Sequence, residues 1–137
     1  MFRAEFPPGL LEVAQSYVRM HAQVEAQAAD LRQQLESARA QSRTSGLPVV
    51  WRALPRGFEF IGLPQARSGR QDVTAGVRPW LFEGTEVLVL QPPGAQTLVL
   101  GPEPLIPAQR LVLAQGERRL TLGTDGLGPF VVLEDAP

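Results

Sequence analysis

Residues 10–45 read LLEVAQSYVRMHAQVEAQAADLRQQLESARAQSRTS, a stretch of 36 positions without glycine or proline. Ala, Leu, Gln, Glu and Arg dominate it, and all are strong helix formers. Pro7-Pro8-Gly9 blocks a helix before Leu10, and Ser45-Gly46-Leu47-Pro48 ends one. The stretch is therefore predicted to be one long helix, preceded by a short arm over residues 1–9. At 1.5 Å per residue such a helix reaches about 54 Å, more than the width of a small domain.

The apolar positions of this helix repeat by seven. One row holds Leu10, Tyr17, Val24, Leu31 and Ala38; the other holds Ala14, His21, Ala28 and Leu35. Alternating steps of four and three form a heptad seam, the second row at a and the first at d. Leu11, Val13, Val18 and Met20 widen the apolar face in the first half, whereas Glu25, Gln27, Arg32, Gln34 and Arg39 flank a narrow stripe in the second. Two partners suit such a seam: the chain's own β-domain, or other copies of the same helix. The length of the seam favours self-association, with a broad first half that fits a trimer better than a dimer. In that arrangement the copies of His21 face one another across the axis.

Beyond residue 45 the composition changes. Residues 46–137 contain 12 Gly and 11 Pro, and short Val/Leu-rich runs lie between them. Val49–Leu54 and Phe58–Leu63 are expected strands, followed by a polar stretch from Pro64 to Pro79. Glu86–Gln91 and Thr97–Leu100 flank Pro92-Pro93-Gly94-Ala95-Gln96, the composition of a five-residue hairpin loop. Pro102, Pro104 and Pro107 mark a connector over residues 102–109. Arg110–Gln115 and Arg118–Gly123 flank Gly116-Glu117, a two-residue turn, and Phe130–Glu134 closes the series. The expected fold is mainly β with one long N-terminal helix: a coiled-coil helix over 10–45, a small β-barrel over 46–101, and a short C-terminal β-meander or tip over 110–137.

Composition removes many functions. The chain has 137 residues, no Cys and one His, and its net charge is −1. Thiolate nucleophiles, thiolate zinc sites and disulfide scaffolds are excluded. All 13 basic residues are Arg and there is no Lys, which removes Schiff-base and P-loop chemistry. No Ser has a base at a useful spacing, so no catalytic constellation is expected. Neither is a cofactor or metal site. Thr124-Asp125-Gly126-Leu127-Gly128 offers a single carboxylate and reads as a turn rather than a cation loop. No run is apolar and long enough to span a membrane. Met1-Phe2-Arg3-Ala4-Glu5 lacks the pattern of a signal peptide.

The segment Arg78-Pro79-Trp80-Leu81-Phe82-Glu83-Gly84-Thr85-Glu86-Val87-Leu88-Val89-Leu90-Gln91-Pro92-Pro93-Gly94, with Thr97-Leu98-Val99-Leu100-Gly101 after it, resembles the OB-fold of the phage baseplate assembly protein V family, the central-spike proteins of contractile tails. The resemblance implies an OB-like barrel, a trimer, and a C-terminal β-needle. It implies a structural role, as hub or spike of a phage tail or related injection particle assembled in the bacterial cytoplasm, with other tail or baseplate proteins as partners. No His-x-His pair is present, so the metal site found at the tip of some members is not implied.

OB barrels also bind single-stranded nucleic acid on aromatic platforms flanked by Arg. Arg52, Arg56, Arg67, Arg70 and Arg78 stand near Trp51, Phe58, Phe60 and Trp80, which makes a nucleic-acid module the first alternative. The competing reading puts the aromatics in the core and the Arg on a solvated loop. It is preferred because residues 81–109 carry only acidic charges. A coiled-coil scaffold or adaptor is the second alternative.

Overall fold

The long helix forms as its composition dictates. The computed structural model describes residues 9–63 and 77–133, and only the backbone of residues 16, 17 and 20. Most of the expected arm, part of the polar stretch and residues 134–137 therefore lie outside the described residues. Helix α1 covers Leu10–Ser45. It stops because Gly46 adopts the left-handed conformation (φ 71) and turns its N–H back to the Ser42 carbonyl, 2.9 Å away. The Ser42 hydroxyl then donates to the Leu47 carbonyl at 2.7 Å, fixing the entry into the first strand.

Eight strands follow: β1 Val49–Leu54, β2 Gly57–Ile61, β3 Val77–Pro79, β4 Thr85–Gln91, β5 Thr97–Gly101, β6 Gln109–Gln115, β7 Arg118–Thr124 and β8 Val131–Leu133. They build two antiparallel four-stranded sheets, ordered β3-β2-β1-β5 and β4-β6-β7-β8. The protein is thus mainly β with one N-terminal helix, as composition predicts. Gly116-Glu117 joins β6 to β7 through the pair Gln115↔Arg118, the turn its sequence implies. β3 is the strand that the polar run concealed.

The barrel does not form. Its expected hairpin, β4 to β5 through Pro92–Gln96, is replaced by strands that part into different sheets: β5 pairs with β1, and β4 with β6. Closure requires a strand on the outer edge of β5, and Gln109 stands there instead. Its Oε1 accepts from the Val99 N–H (2.6 Å) and its Nε2 donates to the Val99 carbonyl (2.9 Å). One side-chain amide occupies the backbone groups that a closing strand would use. The expected tip is not separate either. β6, β7 and β8 share a sheet with β4, so backbone pairing crosses the 102–109 connector.

The helical seam is buried, against the chain itself. Val24, Ala28, Leu31, Leu35 and Ala38 are at most 2% exposed and join Trp51, Phe58, Leu98, Leu100, Leu111, Leu113, Leu122 and Phe130 in one core. Leu31 and Leu35 each contribute about 2 kcal/mol by leaving water. The coiled coil is therefore not what these positions make. Over four turns a heptad stripe and the face of a helix lying on a sheet have the same spacing, and the sheets supply the partner.

Gln27 and Arg39, which flank the stripe in the sequence, are buried as well. The Arg39 guanidinium donates to the Gly128 carbonyl at 2.7 Å and the Gly126 carbonyl at 2.8 Å. Glu36, next to it on the helix, accepts from the Phe130 N–H at 3.1 Å. The loop between β7 and β8 is thereby fastened to α1. Gly126 is required there: its φ is 99, and a Cβ would lie 2.0 Å from the Ile106 carbonyl oxygen.

Arg39→Ala removes two short charge-assisted hydrogen bonds, and two longer ones at 3.4 Å to the Pro104 and Leu127 carbonyls, and is expected to cost about 3 kcal/mol. Arg39→Lys should recover less than half of this, because an ammonium lacks the planar fork that serves two carbonyls at once. Urea unfolding of the three proteins measures both; equal midpoints for wild type and Arg39→Ala would show the loop is held without the contact.

Candidate assembly surface

The first third of α1 is built differently from the rest. All its described side chains before His21 are exposed, including Leu10 (43%), Leu11 (69%), Val13 (66%) and Val18 (65%). Among the described side chains the first buried one on the helix is Val24, and residues 10–20 span about 16 Å before the His21 contact. Among the described residues nothing buries this apolar helical face.

His21 marks the transition. It was expected to face its own copies across an axis. Instead, Nδ1 accepts from the Arg118 guanidinium at the start of β7, and Nε2 donates to Glu25 Oε1 at 2.9 Å. Arg can only donate, so the neutral imidazole carries its proton on Nε2. The contact ties the helix to the end of the second sheet one turn before the core begins.

Of the expected seam, Val24, Ala28, Leu31, Leu35 and Ala38 lie inside the molecule. Leu10 and Ala14 are exposed, His21 is at the boundary, and the side chain of Tyr17 lies outside the described residues. Of the residues that widen the face in the sequence, Leu11, Val13 and Val18 are exposed, next to Leu10 of the seam, and the side chain of Met20 lies outside the described residues.

The nucleic-acid alternative loses its platform. Trp51, Phe58 and Phe60 are buried, and Trp80 packs on Phe58 with ring centroids 4.9 Å apart. Of these four aromatics only Trp80 is half-exposed. Arg52 pairs with Glu59 on the neighbouring strand, and Arg78 lies over the Phe60 ring at 5.2 Å while donating to Gln34. Arg56 is exposed at the β1–β2 turn, and Arg67 and Arg70 lie outside the described residues.

Thr124–Gly128 is a turn. Asp125 Oδ1 accepts from the N–H groups of Gly128 (2.8 Å) and Leu127 (2.9 Å), while the Gly126 and Gly128 carbonyls face Arg39. Among the described residues no three His, Asp or Glu side chains gather as a metal site. A cleft of about 480 Å³, lined by Arg110, Asp125, Val131 and Leu133 among others, contains no nucleophile–base pair. Among the described residues no helix is long and apolar enough to cross a membrane.

A long helix packed by its C-terminal part across antiparallel sheets is a pilin-like arrangement. The crystal structure of the Pseudomonas aeruginosa (strain PAO1) type IV minor pilin FimU is similar, with a TM-score of 0.60 and 12% identity, over 83% of this chain and 90% of that one. At this identity the likeness concerns the fold. No protein-family model matches the chain, and no curated protein matches it. The resemblance to the phage baseplate family is thereby overturned, and the spike or hub role goes with it. The Gly–Thr–Glu–Val–Leu–Val strand and its Pro-Pro-Gly turn belong to the edge of an open pilin-like sheet, not to an OB barrel.

The two backbone bonds from Gly128 and Leu127 hold the Asp125 carboxyl below its ordinary value. A carboxylate lowered in the folded state stabilises the fold above the unfolded value of about 3.9, and that contribution is lost as pH falls through the folded one. Asp125→Asn should therefore lose less stability than wild type between pH 5 and pH 2.5, a difference that urea midpoints across this range will measure.

Proposed function

We propose that the chain is a non-enzymatic, pilin-like subunit that joins a filament through the exposed first third of α1. The observation that carries this is the division of one unbroken helix. One face of its last two-thirds is buried in the chain's own core, and its first third presents Leu10, Leu11, Val13 and Val18 to solvent. The likeness in fold to a type IV minor pilin supports the same reading. A subunit of this kind needs rigidity and a sticky face, and no active site.

The mechanism is burial. Docking the projecting helix among helices of neighbouring subunits removes apolar surface from water, at roughly 25 cal/mol per Å². The β-domain acts as a rigid head, since the Arg39 and His21 contacts keep the helix from swinging against it.

Two variants test the proposal. Leu11→Asp and Val18→Asp alter side chains about two-thirds exposed, so melting temperatures should stay within a few degrees of wild type. In the native host, the wild-type chain is expected in surface filaments released by shearing, and both variants are expected to be depleted from them about tenfold or more. Variants that incorporate like wild type, or a wild-type chain absent from sheared filaments, would refute the filament role.

A further inference from the structure

The two sheets have four edges, and three are protected. The outer edge of β5 is plugged by Gln109, whose amide takes both backbone groups of Val99. β3 and β8 are three residues each, and β3 ends in Pro79, which has no N–H to offer. β4 is different. It is a seven-residue strand at the end of its sheet, and among the described residues no backbone hydrogen bond reaches it from any strand or loop but β6. Its outward side chains include Leu88, 62% exposed, and Leu90, 46% exposed, and Leu88 stands beside Val112 of β6 on the same face. Sheets usually block long apolar edges because they template another strand.

We propose that β4 is a pairing edge for β4 of a second copy of this chain, antiparallel about Val87. The ladder to β6 is regular from Thr85 to Val89 and shifts before Gln91, so five residues form the usable edge. Paired about its own centre, this stretch sets Thr85 against Val89, Glu86 against Leu88, and Val87 against itself. No like charges stand directly opposite, which is what an antiparallel pair requires. The interface is two-fold and self-complementary. It joins two four-stranded sheets into one of eight and brings the two Leu88–Val112 pairs onto a common face. An interface this small belongs with the weak ones, below about 1,200 Å². It gains strength where neighbours are already held close, as effective concentration replaces affinity. The inference does not rest on the filament reading, because purified chain shows it alone.

The register makes the test specific. Leu88→Glu places a second carboxylate against Glu86 twice per dimer, and Leu88→Lys places an ammonium there. Both side chains lie on the exposed face, so folding is unaffected. In sedimentation velocity of the full chain, from micromolar to millimolar protein, wild type should self-associate weakly. Leu88→Glu should weaken this about tenfold, and Leu88→Lys should tighten it several-fold. Equal weakening by both charges would mean a non-specific apolar patch and overturn the register; no association at any concentration would overturn the pairing. The chain contains no Cys, so Val87→Cys introduces the sole thiol, directly on the two-fold axis. On oxidation it should form disulfide dimers well ahead of Val99→Cys on the plugged β5 edge; equal rates would likewise reject β4 as the pairing edge.

Discussion

The fork of Arg39 into the β7–β8 loop is the contact from which the rest of the architecture follows. A guanidinium 3% exposed is costly to bury unless its donors are met. Here two backbone carbonyls, Gly126 and Gly128, lie within 2.8 Å. Each accepts a second bond as well, the Gly128 carbonyl from the Thr124 hydroxyl at 2.8 Å and the Gly126 carbonyl from the Ile106 N–H at 3.1 Å, and the loop's own N–H groups are met within it. Asp125 holds the N–H groups of Leu127 and Gly128, and the Thr124 hydroxyl takes the N–H of Gly126. The arrangement sets how deeply α1 lies on the second sheet and hence which helical residues reach Leu111, Leu113 and Leu122. It also places Glu36 to receive the N–H of Phe130, which seats that ring in the core.

Gln109 plays the matching part for the sheets. By taking both backbone groups of Val99 it ends the first sheet at β5. The cross-brace joins the beginning of β6 to the first sheet without a continuous ladder. Two open sheets share one core because each turns an apolar face to the same stretch of helix.

The helix and most strand positions were legible from residues alone. Gly9, Gly46 and Pro48 bracket α1, and period-two apolar runs mark β1, β4, β6 and β7. Partners were not legible. Val24, Ala28, Leu31, Leu35 and Ala38 announce that a face will be buried and carry no information on what buries it. Pairing of β4 with β6 instead of β5 rests on residues 19 to 30 positions apart, beyond any local turn signal. Arg39 and Gln27 are polar, and a pattern of polar and apolar positions assigns them to solvent; their burial is decided by carbonyls and an N–H that only the folded loops bring near. The surface for association was visible in part, since Leu11, Val13 and Val18 stand out as surplus to a narrow stripe.

That α1 runs unbroken through both environments has a mechanical meaning. A pull on the projecting third is transmitted along a rod of about 54 Å that is hydrogen-bonded throughout its length. The packed part lies alongside β5, β6 and β7, so tension along the axis loads its side-chain contacts together, in shear, rather than one after another as in peeling. Arg39, near the far end of the rod, acts as a barb: its two carbonyl bonds must break before the helix can slide. The head is thus anchored to its stem in the direction in which a tethered subunit would be pulled.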